Sequence, residues 1–203
     1  MIRLRKLINA FPIVALLAFP SGISAAAGAT PEQLIASFSD APNPDAVFYA
    51  INKASGTDPA PVRKAALAHI GDSEPKTRYA ALYALALSAD KSDAEALAKF
   101  LGSPVADERL LAAGALAGLR DKRALPILIA ALDLDKPLNY RGAGERASTF
   151  AQQQLLHFTS LDFGLKVART REQIAATRPE WERWWQRAGA SVHYDPQTRQ
   201  FVE

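Results

Sequence analysis

The 203-residue chain contains no cysteine. That excludes disulfides, thiolate metal sites, thiol nucleophiles and a lipid-modified cysteine. It has no Asn-x-Ser/Thr acceptor either, so nothing points to a glycosylated protein. Histidine is scarce: His69, His157 and His193 are the three present, and none forms a His-x-x-x-His or His-Glu-x-x-His pair. Metal ligands cluster in such spacings, so no metal site and no cofactor is expected. A Gly-x-Ser-x-Gly elbow and a glycine-rich phosphate loop are missing, and Gly142-x-Gly144 follows no strand signal. Asp162-Phe163-Gly164 spells a kinase triplet with none of the other kinase motifs around it. A Ser-His-Asp triad assembled from distant positions stays open, because its members need no fixed spacing.

Charge of one sign is also missing from the body of the chain. There are 24 Lys+Arg against 21 Asp+Glu, and the whole excess is Arg3, Arg5 and Lys6. Residues 28–203 are balanced, which removes the electrostatic case for a nucleic-acid partner. The arginines at 169, 171, 178, 183 and 187 alternate with Glu172, Glu180 and Glu182. They read as a self-compensated, solvated face. With 49% hydrophobic and 22% charged residues, the chain is globular and long enough for one domain.

What is present begins with an address. Arg3, Arg5 and Lys6 precede an apolar run from Leu7 to Phe19, and Pro20-Ser21-Gly22 breaks it. Ser24-Ala25-Ala26 and Ala25-Ala26-Ala27 then offer the small residues a signal peptidase reads. The run falls short of the ~20 residues a spanning helix needs. Residues 1–27 are therefore expected to be a signal peptide, cleaved near Ala26 or Ala27, leaving a periplasmic or secreted protein without a membrane span. The competing reading is an uncleaved anchor.

After residue 28 most segments read as helices with their own start signals. Thr30-Pro31-Glu32-Gln33 combines an N-cap, a proline at the first position and a capping-box glutamine. Asn43-Pro44-Asp45, Asp58-Pro59 and Ser103-Pro104 repeat that grammar, Ser92-Asp93-Ala94-Glu95 is a capping box, and Asp121 starts a helix to Leu132. The helices resemble one another. Arg63, Ala66, Leu67 and Ile70 share the offsets 0, +3, +4 and +7 with Arg78, Ala81, Leu82 and Leu85, and with Arg109, Ala112, Ala113 and Leu116. That spacing puts the small and aliphatic residues on one face, where a neighbouring helix can approach closely. Repeats of 20–50 residues signify stacked units that cannot bury their apolar faces alone.

The stretches Pro61–Leu67, Thr77–Leu82 and Arg123–Leu132 resemble bacterial, bilin-lyase-like HEAT repeats. The similarity spans about residues 58–158 and fades toward the helix at 145–158, where Ser148 stands at the position of the repeat arginine. The resemblance implies a right-handed α-solenoid of helix pairs, inter-repeat hydrogen bonds from the arginines and, usually, a protein-binding role. It implies no activity. Phe158–Gly164 followed by Pro179-Glu180-Trp181-Glu182-Arg183-Trp184-Trp185 resembles a tail found on some of these proteins, with Ser160 where that pattern favours glycine. Trp181, Trp184 and Trp185 fall at i, i+3, i+4 and are expected to form a lid over the last repeat. Three buried indoles give an upper bound on the order of 10 kcal/mol. Beyond them, Val192, Tyr194 and Phe201-Val202 around Asp195-Pro196-Gln197-Thr198 suggest a small hairpin or a loose tail.

The expected organisation is all-α: a signal peptide at 1–27, N-terminal capping helices at 28–57, HEAT-like repeats at 58–158, and a C-terminal cap and tail at 159–203. The expected function is that of an exported, non-enzymatic scaffold or adaptor binding a protein partner. The alternatives are an enzyme or cofactor-handling protein like the bilin-lyase relatives, and a module held at the membrane by an uncleaved N-terminus. Tyr79 takes the offset held by Lys64, Tyr83 follows one turn later, and Leu110 matches Tyr79 in the next helix. These three are the candidate partner-binding residues if that offset faces solvent. Otherwise they pack against a neighbouring helix.

Overall fold

A computed structural model describes residues 28–138 and 145–203. The expected signal peptide and the Gly142-x-Gly144 pair lie outside these residues. Among the described residues there are nine α-helices and one two-stranded hairpin. The helices are α1 (Pro31–Ala36), α2 (Pro44–Thr57), α3 (Pro59–His69), α4 (Pro75–Ser88), α5 (Ala94–Ala98), α6 (Ala106–Gly118), α7 (Ala124–Ala130), α8 (Ala147–Phe158) and α9 (Arg171–Ala188). None of the described helices is long and apolar enough to cross a membrane.

The start signals act at several helices. Thr30 and Gln33 close a reciprocal capping box on α1, Asn43 accepts from Ala46 N–H at α2, and Asp58 accepts from Ala60 N–H at α3. Elsewhere the chemistry shifts by a few residues. Glu74 caps α4, and the box before α5 is Asp90 with Asp93, wrapped round a 3-10 turn at Lys91–Asp93. Asp121 accepts from Arg123 N–H ahead of α7, whose end tightens into a 3-10 turn at Ala131–Asp133. The α9 start repeats the α1 device with Thr170 and Gln173.

Two rows of helices stack. In one row α2 packs on α4, α4 on α6 and α6 on α8. In the other, α1 lies beside α3, α5 and α7 pack against α6, and α9 closes on α7, α8 and the Ala131–Asp133 turn. The core runs continuously through both rows, from Leu34 and Ile35 to Trp181 and Phe201. From Asp107 to Ala117, α6 is buried except at half-buried Arg109. Its Ala112, Ala113 and Leu116 are fully enclosed, as close helix approach requires.

The tail is a hairpin of β1 (His193–Asp195) and β2 (Gln200–Val202), antiparallel with Tyr194 opposite Phe201. Phe201 is buried and also bridges to Thr159 at the end of α8. The Asp195 carboxylate accepts from the Gln197 backbone N–H at 2.8 Å and the Thr198 hydroxyl at 2.8 Å. These bonds hold its pKa below the ordinary 3.8. A depressed carboxylate stabilises the fold above its unfolded value, and that contribution is lost as pH falls through the lower folded value. The turn therefore loosens on acidification below about pH 4. The Gln197 and Thr198 amide resonances should shift there, and Asp195→Asn should show the loosened positions already at neutral pH.

Candidate interaction surface

The buried charges of this fold are spent on holding helices together. Arg63 on α3 donates from Nε to Asp93 at 2.6 Å and from Nη2 to Ser92 at 2.8 Å. Hydrogen bonding to Asp93 raises the Arg63 pKa further above its ordinary range. Arg78 on α4 donates to Glu108 on α6 at 2.9 Å, and the Ser103 hydroxyl donates to the other Glu108 oxygen at 2.5 Å. Lys136, beyond α7, lies 3.0 Å from Asp107. The carboxylate side chains in these locks are 4%, 4% and 0% exposed, so each buried acid has a cation supplied by another segment. At the surface Arg123 bridges Asp121 and Glu95, while Arg178 joins Glu182 at 2.7 Å and also reaches Asp133. Burial works against ionisation of Asp121, yet the hydrogen bonds from Arg123 still hold its pKa below the ordinary value.

The candidate contact residues lie inside. Tyr79 is 3% exposed and Leu110 2%, so neither presents a side chain to solvent. Phe48 of α2 meets Tyr79 edge-on with ring centroids 6.2 Å apart and Tyr83 edge-on at 4.6 Å, and Tyr83 is half-buried. The solvent-side assignment fails for a definable reason. It compared Tyr79 with Lys64, but α3 and α4 belong to different rows, and α2 covers the α4 face whose α3 counterpart is open. The proper sibling of α4 is α6, and at the shared offset Tyr79 and Leu110 are both buried. They line a crevice with Asp107, Leu111, Leu138 and Phe150 that has no room for a water molecule. This is packing between helices.

The three tryptophans do sit together on the α9 face turned to the protein. Trp181 and Trp184 are 0% and 1% exposed, and Trp185 is half-buried against the same core. Trp181 meets Trp184 edge-on at 5.7 Å and Phe163 edge-on at 5.0 Å. Lys122 spans from the α6–α7 turn to the Gly189 and Ala190 carbonyls at 3.0 and 2.9 Å, closing the C-terminal end of α9. A Cβ on Gly189 would stand 2.6 Å from the Trp185 carbonyl, so only glycine fits there. The arrangement also carries costs. The Trp181 and Trp184 indole N–H groups are buried without a hydrogen-bond partner, about 1–3 kcal/mol each. Pro179 lies inside α9 and supplies no N–H to the Ala175 carbonyl.

The histidines stay apart. His69 pairs through Nε2 with Glu32 at 2.6 Å, tying α1 to α3, whereas exposed His157 meets Phe158 edge-on and exposed His193 lies in the hairpin. Among the described residues no group of three His, Cys, Asp or Glu side chains could hold a metal ion. Among the described residues, the large apolar side chains left in solvent are Tyr49, Leu67, Val105 and Val167, at 44%, 38%, 38% and 74%. Sequence reasoning passed over Tyr49, Val105 and Val167, and it placed Leu67 on the face that a neighbouring helix covers, which its exposure corrects. Helical period could have flagged Leu67, which lies on the α3 side opposite Ala65 and Ala66, but Val167 sits in a loop where period carries no information.

No curated protein matches the chain. Residues 108–133, which cover most of α6, all of α7 and its closing 3-10 turn, match the family described as PBS lyase HEAT-like repeat.

Proposed function

We propose that this chain is an exported, non-enzymatic adaptor that binds a protein partner through its helical-repeat surface. The observation that carries the reading is the placement of its buried charge. Asp93, Asp107 and Glu108 are each engaged by a cation from another segment, so the protein's desolvated acids serve rigidity and none is held in reserve for proton transfer. A stiff stacked array offers a preformed surface, which lowers the ordering cost of binding. The leader-like residues 1–27 support export. The domain boundaries follow the same division, with α1 and α2 closing one end and residues 159–203 the other.

The contact surface is sought on the exposed side chains, since Tyr79 and Leu110 are enclosed. Photo-crosslinking residues at positions 49, 67, 105 and 167, expressed in the native envelope, should give a discrete protein adduct from one or two neighbouring positions. Uniform failure at all four positions would count against the adaptor reading. An intact mass lacking Met1 to Ala26 or Ala27 would support export with cleavage, and retention of Met1 would favour the anchored form. A coloured purified protein, or turnover lost on substituting His69 or His157, would favour the cofactor-handling alternative.

A further inference from the structure

We infer that the C-terminal cap, α9 with its hairpin, is a detachable unit that opens before the rest of the protein unfolds and uncovers the surfaces of α7 and α8. Four separate observations converge on it. Trp181 and Trp184 bring two buried indole N–H groups into the docked interface without partners, and opening returns both to water. Pro179 interrupts the hydrogen-bond ladder midway along α9. Phe163, in the connection leading to α9, has φ +40°, a left-handed conformation that a side-chain-bearing residue holds only under constraint. It is followed by Gly164 at φ +88°, which turns the chain freely.

The fourth observation is what fastens the cap. Its ion pairs to the body run from Arg171 to Asp135 and from Arg178 to Asp133, and all four side chains are 31–48% exposed. Exposed pairs of this kind hold weakly and are screened by salt. The buried locks Arg63–Asp93, Arg78–Glu108 and Lys136–Asp107 all lie within the body, N-terminal to the cap. As a terminal unit the cap packs on one side only, against α7, α8 and the turn at Ala131–Asp133, whereas α6 is enclosed by α4, α5, α7 and α8. Apolar contact of the indoles, the Lys122 bonds to the Gly189 and Ala190 carbonyls and the two exposed ion pairs keep the cap docked, while the two stranded indole donors favour release.

Urea unfolding of the full chain tests this with two probes. The three tryptophans of the protein are Trp181, Trp184 and Trp185, so fluorescence follows α9, while far-UV circular dichroism follows all the helices. The fluorescence midpoint should precede the dichroism midpoint by at least about 0.5 M urea. In native-state hydrogen exchange, α9 amides should exchange at least about tenfold faster than α6 amides. Arg178→Ala should lower the fluorescence midpoint and Pro179→Ala should raise it, both leaving the main dichroism transition in place. Coincident midpoints, equal protection of α9 and α6, or variants that move both transitions together would overturn the proposal.

Discussion

Trp184→Ala should weaken docking of α9 by about 3 kcal/mol, which is the low end for truncating a buried aromatic. The low end applies because one unpaired indole donor disappears with the ring, returning part of the loss. Trp184 is 1% exposed and stands between Trp181 and Trp185, so its removal leaves a cavity that both neighbours border. Followed by the fluorescence of the remaining tryptophans, which reports on α9, the expected fall in thermal midpoint is on the order of 10 °C. Trp185→Ala should cost less, because that ring is already half in solvent. A melting curve for Trp184→Ala that overlays the wild type would show that α9 is no part of the core.

Arg78→Ala should be of similar size for a different reason. The Glu108 side chain is 4% exposed, and without the guanidinium only the Ser103 hydroxyl still donates to it. Stranding one member of a buried pair costs about 3–5 kcal/mol. Removing both charges together should cost far less, since a pair replaced by apolar groups leaves nothing uncompensated. Arg78→Met with Glu108→Leu should therefore regain most of the stability lost in Arg78→Ala. Strictly additive losses in that cycle would mean that Arg78 and Glu108 do not act as a pair.

How much of this was legible in the sequence depends on how local the signal is. Thr30, Asn43, Asp58 and Thr170 cap helices within three residues of themselves, and at the first three the start was readable from the string alone. The i, i+3, i+4 spacing of the tryptophans likewise placed them on one side of α9. The row a helix belongs to is decided by neighbours far away in the chain. Arg63 and Arg78 look alike in sequence, but they start matching segments of helices in different rows, so Leu67 is exposed where Leu82 is buried. The 31-residue interval from Arg78 to Arg109 pairs helices of the same row, and reading Tyr79 against Leu110 alone would have pointed inward for both. The acid partners of the arginines were invisible for the same reason, because Asp93 and Glu108 lie near the starts of the helices they anchor and read simply as N-terminal charge.

Those two arginine locks share one interval. Arg63 reaches Asp93 and Arg78 reaches Glu108, each thirty residues ahead. A constant interval makes the lock a ruler. If the thirty-one-residue block from Arg78 to Glu108 were duplicated within the array, the copied arginine would again stand thirty residues before a copied acid, and the new repeat would come with its tie already built. If the inserted block were a few residues shorter or longer, a guanidinium and a buried carboxylate would be left apart at every junction it created. Growth of the array by whole units is thus chemically permitted, and growth by fractions is penalised in proportion to the charge it strands.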